Sequence, residues 1–194
     1  MSIARMVLVA MRPNPPSLDL DGGEIEGVSA GVYQHSADTI LIYGRRHLSD
    51  HKLAVLTIHE LSHASGHPSR LARAFYVTIP HVAEPTDEHG AKAFITERAT
   101  SDAPLDVATE AEEFVAHFAT MLVCISTGIH PTNGAHHCAW IERAAQLPIE
   151  TLRAAIADAI SATCWMLHTA DVSHVAVMFV APQPHETPFG EAGE

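Results

Sequence analysis

The sequence contains few basic residues. Only 11 of its 194 residues are lysine or arginine, against 23 aspartates and glutamates, which gives a formal net charge of −12 with histidine counted as neutral. Proteins that bind nucleic acid through a general basic face need clustered lysines and arginines to contact the phosphates. A nucleic-acid partner is therefore not expected for this chain alone.

Cysteines and long apolar runs are also scarce. Cys124, Cys138 and Cys164 are odd in number and none lies in a C-x-x-C pair, so we expect three small buried residues rather than a disulfide framework. Cysteines without a disulfide pattern favour a location in the reducing cytoplasm. The N-terminal apolar run, Met6–Met11, has six residues, which is too short to span a membrane and predicts a first strand. No membrane partner is expected.

The composition predicts one globular domain. Apolar residues make up 47% of the chain and charged residues 18%, which is ordinary for a folded protein and excludes disorder throughout. The length corresponds to about one domain, and no internal repeat or boundary divides the chain. We therefore expect a single domain over 1–194, with 182–194 as a flexible tail because of its prolines and glycines.

The predicted order of elements is a small sheet followed by helices. Residues 13–31 are rich in turn-forming residues, and two short extended segments at 31–34 and 38–43 favour a hairpin. The expected helices run from the N-cap Ser49 to Gly66, and over 106–127, 135–146 and 148–168. Residues 74–104 are expected to be irregular, and 175–180 to form a strand or a docking tail. This order predicts an α+β fold.

A metal-binding motif lies inside the first predicted helix. Residues 59–63 have the sequence HELSH, and His59 and His63 are four residues apart, so both imidazoles lie on one helical face and can bind one ion. Glu60 lies beside them, where it can take a proton from a water that the metal activates. Zinc, Zn²⁺, is the expected ion for such a site.

A catalytic zinc site needs a third protein ligand, and three residues are candidates. His67 follows the motif but lies beyond the end of the helix. Glu113 is on the second predicted helix, where neighbouring apolar residues would make a buried acid costly unless it is paired or ligating. Its neighbour Glu112 points about 100° away around that helix. We favour Glu113, because His117 would then share its face and could contact a metal-bound histidine.

Residues 59–71 have the sequence HELSHASGHPSRL. They resemble the stretch H-E-L-x-H-x-x-G-H-P-S-R-L of the ArdC-type antirestriction proteins and match it at all of its specified positions. Residues 112–116, EEFVA, resemble the family segment E-E-L-V-A-E, and 137–141, HCAWI, resemble H-A-x-Y-I. The 33–43 hairpin also resembles the stretch before the family helix. The likeness covers about residues 31–168.

The resemblance implies a zincin-like metallopeptidase domain of the kind found in phage and plasmid polyvalent proteins. It implies a small N-terminal sheet, an active-site helix, a glutamate helix and C-terminal helices. His59, His63 and Glu113 would hold Zn²⁺, and Glu60 would be the general base in the hydrolysis of a protein or peptide substrate. We expect His137 to stabilise the oxyanion, because a histidine-bearing helix follows the glutamate helix.

The chain departs from the family pattern at three places. His117 replaces the acid that follows the family's glutamate pair. Only about 30 residues precede the matching region, so we expect no N-terminal single-stranded-DNA-binding domain. Residues 74–104 have no counterpart. The first departure keeps an alternative open, a non-catalytic antirestriction or inhibitory protein with a structural zinc. Arg70 is expected either to fix its turn by binding an acid or to contact a substrate carboxylate.

Overall fold

The computed structural model describes residues 16–20, 23, 29–78, 107–131 and 134–167. Within these residues a three-stranded sheet is combined with five α-helices, which confirms the predicted α+β class. The strands and helices, in chain order, are β1 (Ser17–Asp19), β2 (Ala30–Gln34), β3 (Thr39–Tyr43), α1 (Asp50–Ser65), α2 (Ala74–Thr78), α3 (Val107–Thr127), α4 (Gly134–Ala144) and α5 (Ile149–Leu167).

The sheet has the strand order β1-β3-β2. β2 and β3 are antiparallel and joined by a turn at 35–38, which confirms the predicted hairpin. β1 pairs in parallel with β3. β1 lies inside the turn-rich stretch 13–31, for which no strand was predicted. A three-residue strand is too short to show the alternation by which strands are detected. The strand predicted at 6–11 lies outside the described residues.

Helix α1 has the predicted ends. The Ser49 side chain accepts a hydrogen bond from the backbone N–H of Lys52 at 3.2 Å and caps the N-terminus. The helix ends at Gly66, whose φ of −74° is right-handed, so no left-handed cap forms. A Cβ at this position would lie 2.7 Å from Cγ of Tyr76. The glycine is therefore required by the close approach of α2.

The remaining helices match the predicted ones within a few residues at each end. α3 begins at Val107 and ends before Gly128, which has a left-handed φ of 72°. Helices α4 and α5 correspond to the predicted helices 135–146 and 148–168. Helix α2 was not predicted, because it occupies the start of a stretch that was expected to be irregular. Residues 79–106 and 168–194 lie outside the described part of the chain.

Helix α3 lies at the centre of the fold. It packs against α1, α2, α4 and α5, and α1 in turn packs against β2 and β3. Small residues allow the close packing of α5, whose Ala155, Ala159 and Ala162 are fully buried. Ala116 of α3 is also fully buried, as expected for a helix that lies close to a neighbour. The core continues from the sheet through α1 and α3 to α5.

The cysteines only partly match their prediction. All three belong to the described residues and none forms a disulfide. Cys124 is buried, whereas Cys138 is exposed and Cys164 is half-buried, so the expectation of three buried residues was wrong for two of them.

None of the helices in the described ranges combines the length and the apolar character that crossing a membrane requires.

A buried arginine fastens the hairpin to α1. Nη2 of Arg70 donates to both carboxylate oxygens of Asp38 at 2.7 Å, and Nη1 donates to the Ala64 carbonyl at 2.9 Å. The Tyr33 hydroxyl donates to the same carboxylate at 2.7 Å. Burial opposes ionisation of Asp38, but the hydrogen bonds from Arg70 and Tyr33 hold its pKa below the usual value. These contacts support the interpretation that Arg70 fixes its turn by binding an acid.

Replacing Asp38 by asparagine tests this clamp. Asp38 has a left-handed φ of 48° that asparagine also tolerates, so D38N removes the charge without straining the turn. We expect a loss of about 1–3 kcal/mol in the free energy of unfolding at pH 7, measured by urea denaturation. The control is D50N, because Asp50 pairs with Arg45 on the surface.

The difference in unfolding free energy between the wild type and D38N should become smaller as the pH falls. The pKa of Asp38 is lowered in the folded state. The ionised Asp38 therefore contributes fully to the free energy of unfolding above its unfolded-state pKa of about 3.9, and this contribution is lost as the pH falls through the folded-state pKa. The stabilities of the wild type and D38N should therefore converge in acid. Equal stabilities at pH 7 would contradict the clamp.

Candidate metal centre

Helix α1 presents the two histidines of the motif on one face. The side chains of His59 and His63 are each 16% exposed, and their ring centroids lie 4.9 Å apart in an edge-on arrangement. The helix is held in place by two neighbours, since it packs on the hairpin and on α3. The two rings are therefore held at the surface of the core and remain partly accessible.

Helix α3 supplies the third donor. Oε2 of Glu113 lies 3.9 Å from Nε2 of His59 and 3.9 Å from Nε2 of His63. The ligand atoms of these three residues all lie within 4.8 Å of one another. Glu113 is buried. The three residues named from the sequence thus form a group that could hold a metal ion.

The geometry and the donor types of this group fit a divalent transition metal. Bonds of about 2.0–2.1 Å in a tetrahedral site place neighbouring donors about 3.3 Å apart. The distances of 3.9 Å from Glu113 to each histidine are about 0.6 Å longer than this, so the three side chains need to move closer together around an ion. Two imidazoles and a carboxylate suit zinc, but they also accept other first-row ions. The described residues therefore define a candidate site without defining its metal.

Glu112 lies behind His63 instead of joining the ligand group. Its Oε1 is 3.1 Å from Nδ1 of His63 and 2.7 Å from Nη2 of Arg73. Burial raises the pKa of Glu112 to about 7, while the neighbouring Arg73 opposes the rise. The adjacent acids Glu112 and Glu113 therefore contact opposite sides of the same histidine ring.

His67, the other candidate ligand, lies outside the group. It follows α1 on a turn, where its Nδ1 is 2.7 Å from Oγ of Ser69. Its ring is 5.3 Å from that of His35 in the hairpin. The end of α1 at Gly66 separates His67 from the helical face that carries the other two histidines.

The hairpin holds the carboxylate of Glu60. This side chain is 6% exposed, and its Oε2 accepts a hydrogen bond from the backbone N–H of Tyr33 at 2.8 Å. It lies across β2 at Gly31, where a Cβ would be 2.7 Å from Cγ of Glu60. A glycine is therefore required at this point of the strand, and β2 fixes the orientation of the Glu60 carboxylate.

A second pair of histidines extends the site. Nε2 of His117 lies 3.9 Å from Oε2 of Glu113, and its ring centroid is 4.6 Å from that of His59. Nδ1 of His117 is 2.8 Å from Nδ1 of His137, so one nitrogen carries the proton and the other accepts it.

Both histidines of this pair have lowered pKa values. Burial and the neighbouring histidines lower the pKa of His117, and burial together with His136 lowers that of His137. The pair is therefore neutral near pH 7. The expectation that His117 shares the face of Glu113 and contacts a metal-site histidine agrees with this geometry.

Sequence reasoning missed three elements of the site. Arg73 is separated from Glu112 by 39 residues, and no spacing or motif indicates the pair. The backbone N–H of Tyr33 carries no signal in the sequence at all. Gly31 could have been found only from the tertiary contact, because a glycine in a strand has several explanations.

Comparisons with known proteins add no family to this description. No family model matches the chain, and neither the curated proteins nor the solved structures include one that is similar enough to count as a match.

The centre should bind one divalent ion per chain. We expect titration with Zn²⁺ to give a stoichiometry of about one, and H63A to abolish this binding because it removes a ligand. Binding should weaken as the pH falls, since imidazole and carboxylate ligands must lose their protons. The control is H67A, which removes a nearby histidine outside the group. Equal affinities of H63A and the wild type would show that the ion binds elsewhere.

Proposed function

We propose that this protein is a zinc-dependent peptidase. The observation that carries the proposal is the convergence of His59, His63 and Glu113 from two helices, with the buried Glu60 carboxylate on the same helix as the histidines. Three protein ligands leave a position for water or substrate, as catalytic zinc sites require. A bound zinc ion supplies Lewis acidity and lowers the pKa of the attacking water to about 7.

Glu60 acts as the general base in this mechanism. Its Oε2 is held by the Tyr33 N–H, and its stem lies against Gly31, so the carboxylate cannot swing freely into solvent. It takes a proton from the attacking water and transfers it to the leaving amine when the peptide bond breaks. An oriented base is worth about 10²–10⁴ in rate.

His137 is proposed as the donor to the oxyanion of the tetrahedral intermediate. It is buried, and its Nδ1 is hydrogen-bonded to His117, so its contact with the ligand group runs through that residue. In this role His137 would donate a hydrogen bond to the substrate through its other ring nitrogen, Nε2. This assignment stays a prediction, and an unchanged kcat in H137A would refute it.

The resemblance to ArdC-type proteins supports the same proposal from the sequence. The zincin-like fold and the phage or plasmid origin that follow from it stay predictions, as does the cytoplasmic location inferred from the cysteines. A protein or peptide is the proposed substrate.

A second candidate is a non-catalytic antirestriction or inhibitory protein that retains zinc for structure. The observation in its favour is His117, whose Nε2 is 3.9 Å from the same Glu113 oxygen as the nitrogens of His59 and His63. If His117 became a fourth protein ligand, the site would be closed, as structural zinc sites are.

Substitution of Glu60 separates the two candidates. E60Q keeps the shape of the side chain but removes its basicity, so we expect cleavage to fall by about a hundredfold or more while zinc stays bound. The assay would expose a defined peptide mixture to zinc-loaded protein and detect new amino termini by mass spectrometry. The control is E150Q, because Glu150 lies on the surface of α5 and pairs with Arg153.

Each result has a definite meaning. Cleavage by the wild type and E150Q but not by E60Q supports the peptidase. Equal cleavage by E60Q and the wild type would exclude Glu60 as the base. A wild-type protein that binds zinc but cleaves none of the peptides would favour the non-catalytic candidate.

A further inference from the structure

A buried chain of contacts lies behind His63, outside the group of three candidate ligands. It runs from Nδ1 of His63 to Oε1 of Glu112 at 3.1 Å, and from that same oxygen to Nη2 of Arg73 at 2.7 Å. Glu112 is 1% exposed and Arg73 is 3% exposed. Burying two ionic groups is costly unless both are paired with good geometry, so a position this deep requires a reason.

Arg73 also binds the end of the helix that carries the histidines. The same Nη2 donates to the carbonyl of Ser62 at 2.8 Å and lies 3.4 Å from the carbonyl of His63. One guanidinium therefore contacts the last turn of α1 and the carboxylate of Glu112 on α3. It fixes the backbone of His63 relative to the helix that supplies Glu113.

The hydrogen bond from Nδ1 determines which nitrogen of His63 is available to a metal. When Nδ1 donates its proton to Glu112, Nε2 carries the lone pair. Nε2 is the atom that faces Glu113, at 3.9 Å from its Oε2. A carboxylate that accepts the second ring N–H of a ligand histidine fixes its tautomer and orientation and raises its basicity.

We propose that Glu112 and Arg73 form a positioning pair that holds the ring of His63 with its Nε2 toward the metal. The proposal rests on the metal centre proposed above, and it assigns separate tasks to the two adjacent acids. Glu113 faces the ion, while Glu112 orients a ligand and touches neither the ion nor the substrate. Arg73 keeps Glu112 in place and therefore supports the metal centre, although it contacts Glu112 and none of the three candidate ligand side chains.

A second, more exposed ion pair on α3 serves as the control for this pair. Glu110 lies on the same helix as Glu112 and forms an ion pair with Arg143 of α4, at 2.8 Å between Oε1 and Nη2. This pair also joins α3 to another segment, but it contacts none of the three candidate ligands. Its removal should affect stability without affecting the metal.

The experiment compares the zinc dissociation constants of four variants by competition with a chromophoric chelator. E112Q should bind zinc about ten- to a hundredfold more weakly than the wild type, and E110Q should match the wild type. The double variants E112M/R73M and E110M/R143M replace each ion pair by apolar residues of similar volume, which usually preserves folding. E112M/R73M should lose zinc affinity to a similar extent as E112Q, whereas E110M/R143M should bind zinc as tightly as the wild type.

A second measurement reports on the histidine without any metal. In the metal-free wild type, ¹⁵N chemical shifts should show His63 as the Nδ1–H tautomer, because Glu112 accepts that proton. In E112M/R73M the preference should disappear, while it should persist in E110M/R143M. The wild-type measurement is independent of whether any variant folds, and the comparison of the two double variants is made only on samples whose circular dichroism shows the wild-type helix content.

The outcomes distinguish this proposal from the metal centre on which it rests. Zinc binding by the wild type, with unchanged affinity in the folded Glu112 variants, would overturn the positioning pair and leave the metal centre intact. A wild-type His63 in the Nε2–H tautomer would also overturn it. A wild type that binds no zinc would contradict the metal centre itself, and the positioning role would fall with it.

Discussion

The structure depends on the packing of α1 against α3. This contact buries the apolar face of α1 and brings the histidines of one helix within 3.9 Å of the carboxylate of Glu113 on the other. The same packing encloses the Arg73–Glu112 ion pair. Core packing and the candidate metal centre are thus produced by one interface, and a shift of either helix would disturb both.

The hairpin adds a second constraint on α1. Arg70 joins the hairpin turn to the end of the helix through Asp38, and β2 holds the carboxylate of Glu60 through the Tyr33 N–H and the space at Gly31. The residues proposed to bind a metal and to move a proton are therefore fixed by separate parts of the fold. This separation explains why a base variant and a ligand-positioning variant should have different effects.

The sequence was sufficient to predict the features that depend on local chemistry. The N-cap at Ser49 and the HELSH spacing identify α1 and its metal-binding face, and the buried position of an acid on an apolar helix indicates Glu113. The sequence could not predict contacts between distant residues, such as Arg73 with Glu112. It also missed β1, whose three residues gain their structure from pairing with β3. The zincin-like fold and the peptidase activity stay predictions of the resemblance.

The proposed metal centre consists of His59, His63 and Glu113, which bind one ion together and leave a position open. Its most direct test is a crystal structure of the zinc-loaded protein with anomalous diffraction measured at the zinc edge. We expect one anomalous peak bonded to these three side chains, with Glu112 on Nδ1 of His63 and His117 outside bonding distance. A peak bonded to His117 as a fourth protein ligand, or a peak away from the three residues, would contradict it.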